Sequence, residues 1–204
     1  MTSSGNKSEN RSSFISDIEE IRRRARQHIE NGAVTDAYRG DRVTVIRVLN
    51  EALATELVCV LRYKRHYYTA RGIHAQAVAE EFLEHAAEEQ GHADKIAERI
   101  TQLDGDPDLN PDTLSKRSHS EYVEGTSLVE MIREDLIAER IAIDSYNEII
   151  RYLGDNDPTS RRVMEEILAK EEEHAEELKT LIQTISELEK KADTEPGQPL
   201  RRVS

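Results

Sequence analysis

Residues 82–100 read FLEHAAEEQGHADKIAERI, and this stretch decides the fold class of the 204-residue chain. Its apolar side chains recur every three or four residues, which is the period of an α-helix with one face in a protein core. Glu89 falls on the same apolar stripe, three residues after Ala86 and four before Ala93. His92 follows Glu89 by three residues and therefore projects from the same face. The stretch predicts a buried helix that carries a carboxylate and an imidazole side by side.

Three more helices of this kind are predicted along the chain. Ser127 and Asp157 are typical N-cap residues, and Gly105 and Gly154 are typical residues at a helix end. Each helix has about 27–30 residues, or roughly 40–45 Å at 1.5 Å per residue, which is a length typical of helical bundles. With cap and terminating residues included, helix A is predicted from Asp41 to near Gly72, helix B from about His74 to Gly105, helix C from Ser127 to Gly154 and helix D from Asp157 through Ile185.

The connections between these helices indicate the topology. The A–B and C–D links are short, so each pair of helices should form an antiparallel hairpin. Residues 106–126, with Pro107, Pro111 and Gly125, have no strong period and form one long connection. Such a crossover lets the second hairpin start at the far end of the bundle. The predicted fold class is therefore an all-α four-helix bundle with one long B–C crossover.

The two ends of the chain have a different composition. A short N-terminal accessory helix is predicted over residues 14–31, where Phe14, Ile15, Ile18 and Ile21 have helical spacing. Residues 1–13 and 191–204 are polar and are expected to be flexible tails. The predicted domains are 1–40 for the tail and accessory helix, 41–190 for the bundle and 191–204 for the C-terminal tail.

Composition excludes several classes of protein. The net charge of −13 favours cationic partners such as metal ions. No run of about 18 apolar residues is present to span a membrane, and the N-terminus does not resemble a signal peptide, so a cytoplasmic location is expected. The single cysteine, Cys59, excludes an intramolecular disulfide and a cysteine-rich metal module. It is more typical of a small buried side chain.

Each of the four helices places one glutamate on its apolar stripe. Glu56 lies on helix A, Glu89 on B, Glu139 on C and Glu171 on D. Glu56 precedes Glu89 by 33 residues and Glu139 precedes Glu171 by 32, so the two hairpins repeat as halves of one site. Of seven histidines, only the two on helices B and D follow a glutamate by three residues. The full set is Glu56, Glu89, His92, Glu139, Glu171 and His174.

Four ionised carboxylates in one core would repel each other and lose their hydration, so a cation is expected among them. Two divalent ions would cancel the four charges, and carboxylate with imidazole suits iron or manganese. A glutamate or histidine in such a highly charged helix usually lies on the solvent-exposed surface. These six residues all fall on the apolar stripes of their helices, and this favours a metal site. The expected assignment has Glu89 and Glu171 bridging, Glu56 and His92 on one ion, and Glu139 and His174 on the other.

Three other residues lie near this site in the helical register. Tyr63 and Tyr146 each follow a proposed ligand by seven residues, or two turns, and could relay electrons. Such tyrosines are more often core residues whose hydroxyl has a hydrogen-bond partner. Asp135, one turn before Glu139, is either a partner for a ligand histidine or a solvated side chain.

The helices that carry the six residues resemble those of the bacterioferritins and the bacterioferritin-like Dps proteins, and the resemblance covers about residues 43–186. The resemblance implies a ferritin-like fold with all six residues as ligands of a di-iron ferroxidase centre. It also implies a homo-oligomeric shell that stores iron and protects against peroxide. Tyr63 matches a tyrosine of the bacterioferritin pattern. The matching stretches are VIRVLNEALATEL (45–57), EEQGHADKIAERI (88–100), DLIAER (135–140) and EEILAKEEEHAEEL (165–178).

The chain departs from the bacterioferritin pattern in three places. Gln90 occupies the position of the haem-ligating methionine, so haem is not expected. Residues 190–204, KKADTEPGQPLRRVS, are a poor helix where the family has a short fifth helix, which favours a 12-subunit shell over 24 subunits. The long B–C connection fits Dps-like proteins, although Cys59 alone cannot supply the cysteine pair of their thiol-containing subgroup.

The leading functional hypothesis is iron storage and detoxification, with Fe(II) oxidised to Fe(III) by peroxide or dioxygen. A rubrerythrin-like peroxidase or a manganese catalase could use the same ligand set. A DNA-compacting assembly is a third hypothesis, because the basic residues 22–26, RRRAR, could bind phosphates. Acidic neighbours at Glu19, Glu20 and Glu30 instead favour a solvated or subunit-contacting helix.

Overall fold

The computed structural model describes residues 17–72 and 75–194, which fall into two compact units on either side of the Tyr38–Arg39 bond. Residues 1–16, residues 73 and 74, and residues 195–204 lie outside the described residues. They include Phe14 and Ile15 of the predicted accessory helix, the predicted start of helix B at His74, and most of both predicted tails.

The first unit contains less helix than predicted. Helix α1 covers Ile18–Arg24 and is followed by a 3-10 helix, Ile29–Asn31. One continuous helix through residue 31 was a wrong prediction, because His28 has a φ of 51°, which a right-handed helix cannot include. The adjacent basic cluster is paired with acidic neighbours, since Arg22 lies 2.6 Å from Glu19.

The second unit is the four-helix bundle. All its described elements are helical, so the predicted all-α fold class is confirmed. The long helices are α2 (Arg42–Thr69), α3 (Ala75–Gln102), α5 (Leu128–Leu153) and α6 (Pro158–Thr194), with a short α4 (Leu114–Arg117) in the crossover. Helix α4 was not predicted, and α6 continues into residues 191–194, which the sequence analysis assigned to the tail. Within the described ranges, no helix combines the length and apolar content that crossing a bilayer requires.

The predicted N-caps of the second hairpin are confirmed. The Ser127 side chain accepts a hydrogen bond from the backbone N–H of Glu130 at 3.2 Å. The Glu130 carboxylate accepts in return from the backbone N–H of Thr126 at 2.9 Å, one residue earlier than in a standard capping box. Asp157 caps α6 by accepting from the backbone N–H of Ser160 at 2.9 Å. Helices α5 and α6 therefore begin where local side-chain chemistry satisfies their free N–H groups.

The crossover runs along α2 from its N-terminal half toward its C-terminus. Side chains along α2 form hydrogen bonds with crossover residues in the same order along the chain. The start of α5 therefore lies beside the end of α2. Pairing of Tyr63 with Glu139 and of Tyr146 with Glu56 shows that α2 and α5 are antiparallel. The anchoring bonds are Asp108 N to Asn50 Oδ1 at 2.7 Å, His119 N to Thr55 Oγ1 at 2.9 Å, and Arg62 Nη1 to Glu121 O at 2.8 Å.

Candidate metal centre

All six predicted ligand residues meet in the middle of the bundle. They form two overlapping groups, and within each group one ligand atom per residue lies within 4.8 Å of the others. None of the six is more than 4% exposed. Glu89 and Glu171 belong to both groups, which is the placement expected of bridging residues. The groups are Glu56, Glu89, His92 and Glu171, and Glu89, Glu139, Glu171 and His174.

Both histidines direct Nδ1 toward the carboxylates. His92 Nδ1 lies 3.0 Å from Glu171 Oε1 and 3.4 Å from Glu56 Oε2. His174 Nδ1 lies 3.2 Å from Glu89 Oε1. The imidazole of each Glu-x-x-His motif therefore contributes a nitrogen to the same small space as the carboxylate oxygens.

Several polar atoms in this space are buried, and although they lie close to one another they make no well-aligned hydrogen bond. A buried polar atom without a partner costs about 1–3 kcal/mol, so a cluster of them needs a physical explanation. Divalent cations among the oxygens and nitrogens would satisfy them, and the donor set fits iron or manganese. The atoms are Glu56 Oε2, His92 Nδ1, Glu139 Oε2 and Glu171 Oε1.

Two buried tyrosines link the halves of the site. The Tyr63 hydroxyl, on α2, donates to Glu139 on α5, and the Tyr146 hydroxyl, on α5, donates to Glu56 on α2. Both side chains are fully buried. Each tyrosine thus holds one oxygen of a carboxylate and leaves the second oxygen directed at the cluster. Electron relay through these tyrosines stays a prediction.

Burial and mutual charge set the protonation of the metal-free cluster. Burial, reinforced by the neighbouring carboxylates, raises the pKa of Glu56 and of Glu139 well above its usual range. The pKa of Glu89 is lowered despite burial, because hydrogen bonds from Glu56 and from both histidines favour its charged form. Burial opposes the charged histidines, but hydrogen bonds to carboxylates outweigh it and raise the pKa of His92 to about 12 and of His174 to about 10.

Both alternatives predicted for Asp135, a partner of a ligand histidine and a solvated side chain, were wrong. Asp135 is fully buried, but its Oδ1 accepts from Arg62 Nε at 2.8 Å and its Oδ2 lies 2.8 Å from His66 Nδ1. Glu88 takes the predicted role, since its Oε2 lies 2.6 Å from His174 Nε2. Sequence reasoning missed Glu88 because it is one of many glutamates on its helix, and only the approach of α6 distinguishes it.

Two other residues singled out in the sequence have local partners. The Gln90 side chain donates to Asp94 Oδ1 at 3.0 Å. Cys59 is buried, as the sequence predicted, and burial raises the pKa of its thiol. Its Sγ accepts a 3.5 Å contact from Arg62 Nη2.

Comparisons with known proteins agree with this fold. Residues 46–188 match the family model of the ferritin-like domain. The bacterioferritin of Rhodobacter capsulatus is 32% identical over 145 residues, which cover 71% of this chain and 86% of that protein. Its solved structure, described with a metal-free dinuclear site and haem iron, has a TM-score of 0.63 at 30% identity and covers 74% of this chain and 89% of that one.

Two further solved structures are similar to the chain. The dodecameric thioferritin of Bacteroides fragilis, a bacterioferritin-related protein, has a TM-score of 0.72 at 32% identity, covering 75% of this chain and 92% of that one. The bacterioferritin of Desulfovibrio desulfuricans, whose di-iron site was captured in different catalytic states, has a TM-score of 0.64 at 25% identity, covering 72% and 82%. The chain therefore belongs to the ferritin-like superfamily and, within it, to the bacterioferritin family.

Proposed function

We propose that this protein stores iron and that its six-residue cluster is a ferroxidase centre, at which ferrous ions are oxidised to ferric ions by dioxygen or peroxide. The observation that carries the proposal is the pair of overlapping carboxylate and imidazole groups, which share Glu89 and Glu171. The relatives support it, since one is described with a dinuclear site and another with a di-iron site in different catalytic states.

The ligand residues divide into bridging and terminal roles. Glu89 and Glu171 would bridge the two ions, and each ion would take one further glutamate and one histidine. When bound, the two ferrous ions supply one electron each to the oxidant. The terminal ligands would be Glu56 and His92 on one ion and Glu139 and His174 on the other.

Neighbouring side chains hold these ligands in position. The hydrogen bonds from Tyr63 and Tyr146 orient Glu139 and Glu56 so that one oxygen of each remains free for an ion. Glu88 bonds to the outer nitrogen of His174 and thereby keeps Nδ1 directed inward. Such preorganisation lowers the cost of arranging the ligands when iron arrives.

The storage part of the proposal requires an assembly of many copies. Because the related thioferritin is dodecameric, we favour a shell of 12 copies of this chain, with 24 as the second candidate. The acidic chain, with a net charge of −13, would concentrate iron at such a shell. A cytoplasmic location and the absence of haem remain part of the proposal.

The test compares metal-free wild-type protein with Glu89→Ala and Glu171→Ala. Ferrous iron is added without oxygen, then peroxide or air is admitted, and ferric absorbance is followed. We expect rapid oxidation that saturates near two irons per chain in wild type and is lost in both variants, with the helical circular dichroism retained. Glu84→Ala, an exposed glutamate on the same helix, is the control and should oxidise iron as wild type does. Wild-type rates in Glu89→Ala and Glu171→Ala would sink the assignment.

A manganese-dependent reaction on peroxide is the second candidate function, because the same carboxylate and imidazole donors accept manganese. Protein loaded with manganese would then evolve dioxygen from peroxide, and protein loaded with iron would not mineralise. Measuring both activities on one preparation separates the two functions.

A further inference from the structure

A second group of ligand-type side chains lies just outside the six-residue cluster and has no role in the proposed function. Glu81 and His85 lie one turn apart on α3, and Glu177 faces them from α6. His85 Nε2 lies 3.0 Å from Glu177 Oε2 and 3.7 Å from Glu81 Oε1. Atoms that share one metal ion at about 2.0–2.2 Å are themselves roughly 3–4 Å apart, so the spacing suits a shared ion.

The two ring nitrogens of His85 have different partners, and Nε2 is the one that faces these carboxylates. Tyr63 has a single hydroxyl proton and donates it to Glu139. The Tyr63 oxygen therefore accepts from His85 Nδ1, which lies 3.2 Å away. Because Nδ1 is bonded to Tyr63, Nε2 is the ring nitrogen that faces the two carboxylates, and it is the atom that would bind an ion between them. Metal-binding histidines typically have this arrangement, with the outer nitrogen donating to a fixed acceptor.

The group is open to solvent on its carboxylate side. His85 is 1% exposed, but the Glu81 and Glu177 side chains are 33% and 42% exposed. They line a groove of about 250 Å³ together with Thr180 and Leu181. A hydrated ion could therefore reach the group directly from solution and keep water in its remaining coordination positions.

The same group contacts the buried centre. The His85 ring stacks on the ring of His174, with centroids 4.1 Å apart and planes 20° apart. A chain of hydrogen bonds also runs from His85 through Tyr63 to Glu139. An ion at this surface position would be one side chain away from the dinuclear cluster.

We propose that Glu81, His85 and Glu177 form a third divalent-cation site, open to solvent and joined to the six-residue cluster through Tyr63. Two carboxylates match the charge of a divalent ion, and carboxylate with imidazole donors suits first-row ions such as ferrous iron or zinc. The site would hold an ion beside the centre, and its existence does not depend on whether the centre oxidises iron.

Zinc is the probe for the test, because it binds the same donors and has no redox chemistry. The metal-free full chain receives three equivalents of zinc and is crystallised, and anomalous scattering locates the ions. We expect three peaks per chain, the third between His85 Nε2 and the two carboxylates. Equilibrium dialysis should give about three zinc ions per chain.

The double variant Glu81→Gln/Glu177→Gln should lose the third peak, keep the two peaks of the six-residue cluster and bind one zinc fewer per chain. Glu176→Gln is the matched control, since Glu176 lines the same groove but pairs with Lys179 at 2.8 Å, and it should keep all three ions. Two zinc ions in wild type, or a third peak that survives the double variant, would overturn the proposal. Loss of the inner pair alone, with the third peak intact, would count against the dinuclear centre and not against this site.

Discussion

Individual side chains of the six-residue cluster differ in whether they hold a proton before metal arrives. Glu56 and Glu139 have a raised pKa because they are buried beside other carboxylates. His92 and His174 have pKa values of about 12 and about 10, because carboxylates surround them. Both histidines are therefore protonated at neutral pH in the metal-free protein, and the raised pKa of Glu56 and Glu139 favours their protonated form.

We expect binding of two zinc ions at pH 7 to release up to four protons per chain, one from each of these four groups. A raised pKa means that the proton must be displaced, so apparent affinity should rise with pH and fall on acidification. Each proton released adds a tenfold change in the binding constant per pH unit. Titration in weakly buffered solution with a pH-stat measures the release. Glu89→Ala/Glu171→Ala is the comparison, and zinc binding without proton release in wild type would contradict the protonation pattern.

Pairs of helices are held in register by buried polar contacts as well as by apolar packing. Arg62 and His66 on α2 both bond to Asp135 on α5, and Arg62 also donates to the backbone of Glu121 in the crossover. Arg62 and Asp135 are at most 1% exposed. This network aligns α2, α5 and the crossover, and it lies one turn from Glu139.

Asp135→Ala should destabilise the metal-free protein by about 3–5 kcal/mol, because it leaves the buried Arg62 guanidinium without its partner. Urea unfolding followed by circular dichroism measures the change. Asp144→Ala, an exposed carboxylate on the same helix, should change stability by less than about 0.5 kcal/mol. Equal effects of the two substitutions would show that the network does not stabilise the bundle.

The elements themselves were predictable where a long apolar period exists. The four long helices and the caps at Ser127 and Asp157 follow from spacing and cap chemistry. The four-residue helix α4 was missed because it is too short to show a period. The accessory helix was predicted too long because its apolar spacing continues past His28, where the backbone turns left-handed.

At the scale of the whole molecule, a single chain leaves large apolar side chains exposed. Val43, Leu61, Tyr68 and Ile137 are 78%, 52%, 71% and 48% exposed. Apolar side chains that form a contiguous exposed patch are commonly covered in an assembly. The shell under the proposed function would cover them.

We expect the purified protein to form a particle of about 280 kDa, which is twelve chains of 23.3 kDa. Sedimentation or light scattering after gel filtration measures the mass. Leu61→Glu and Tyr68→Glu should each shift the mass toward smaller species, because a buried charge would penalise a subunit contact. A 24-subunit particle would weigh about twice as much, and a monomer in wild type would contradict the shell.

The sequence by itself determined the four long helices and which side chains share the inner face of each. It therefore also identified the six residues that meet at the centre, because helical period alone places them on the inner stripes. Only the tertiary structure decided that the hydroxyls of Tyr63 and Tyr146 bond to the opposite helix. It also decided that Glu88 contacts His174 and that Asp135 bonds to Arg62. Contacts between helices depend on their packing geometry and on side-chain rotamers, and neither is encoded in the local spacing of residues.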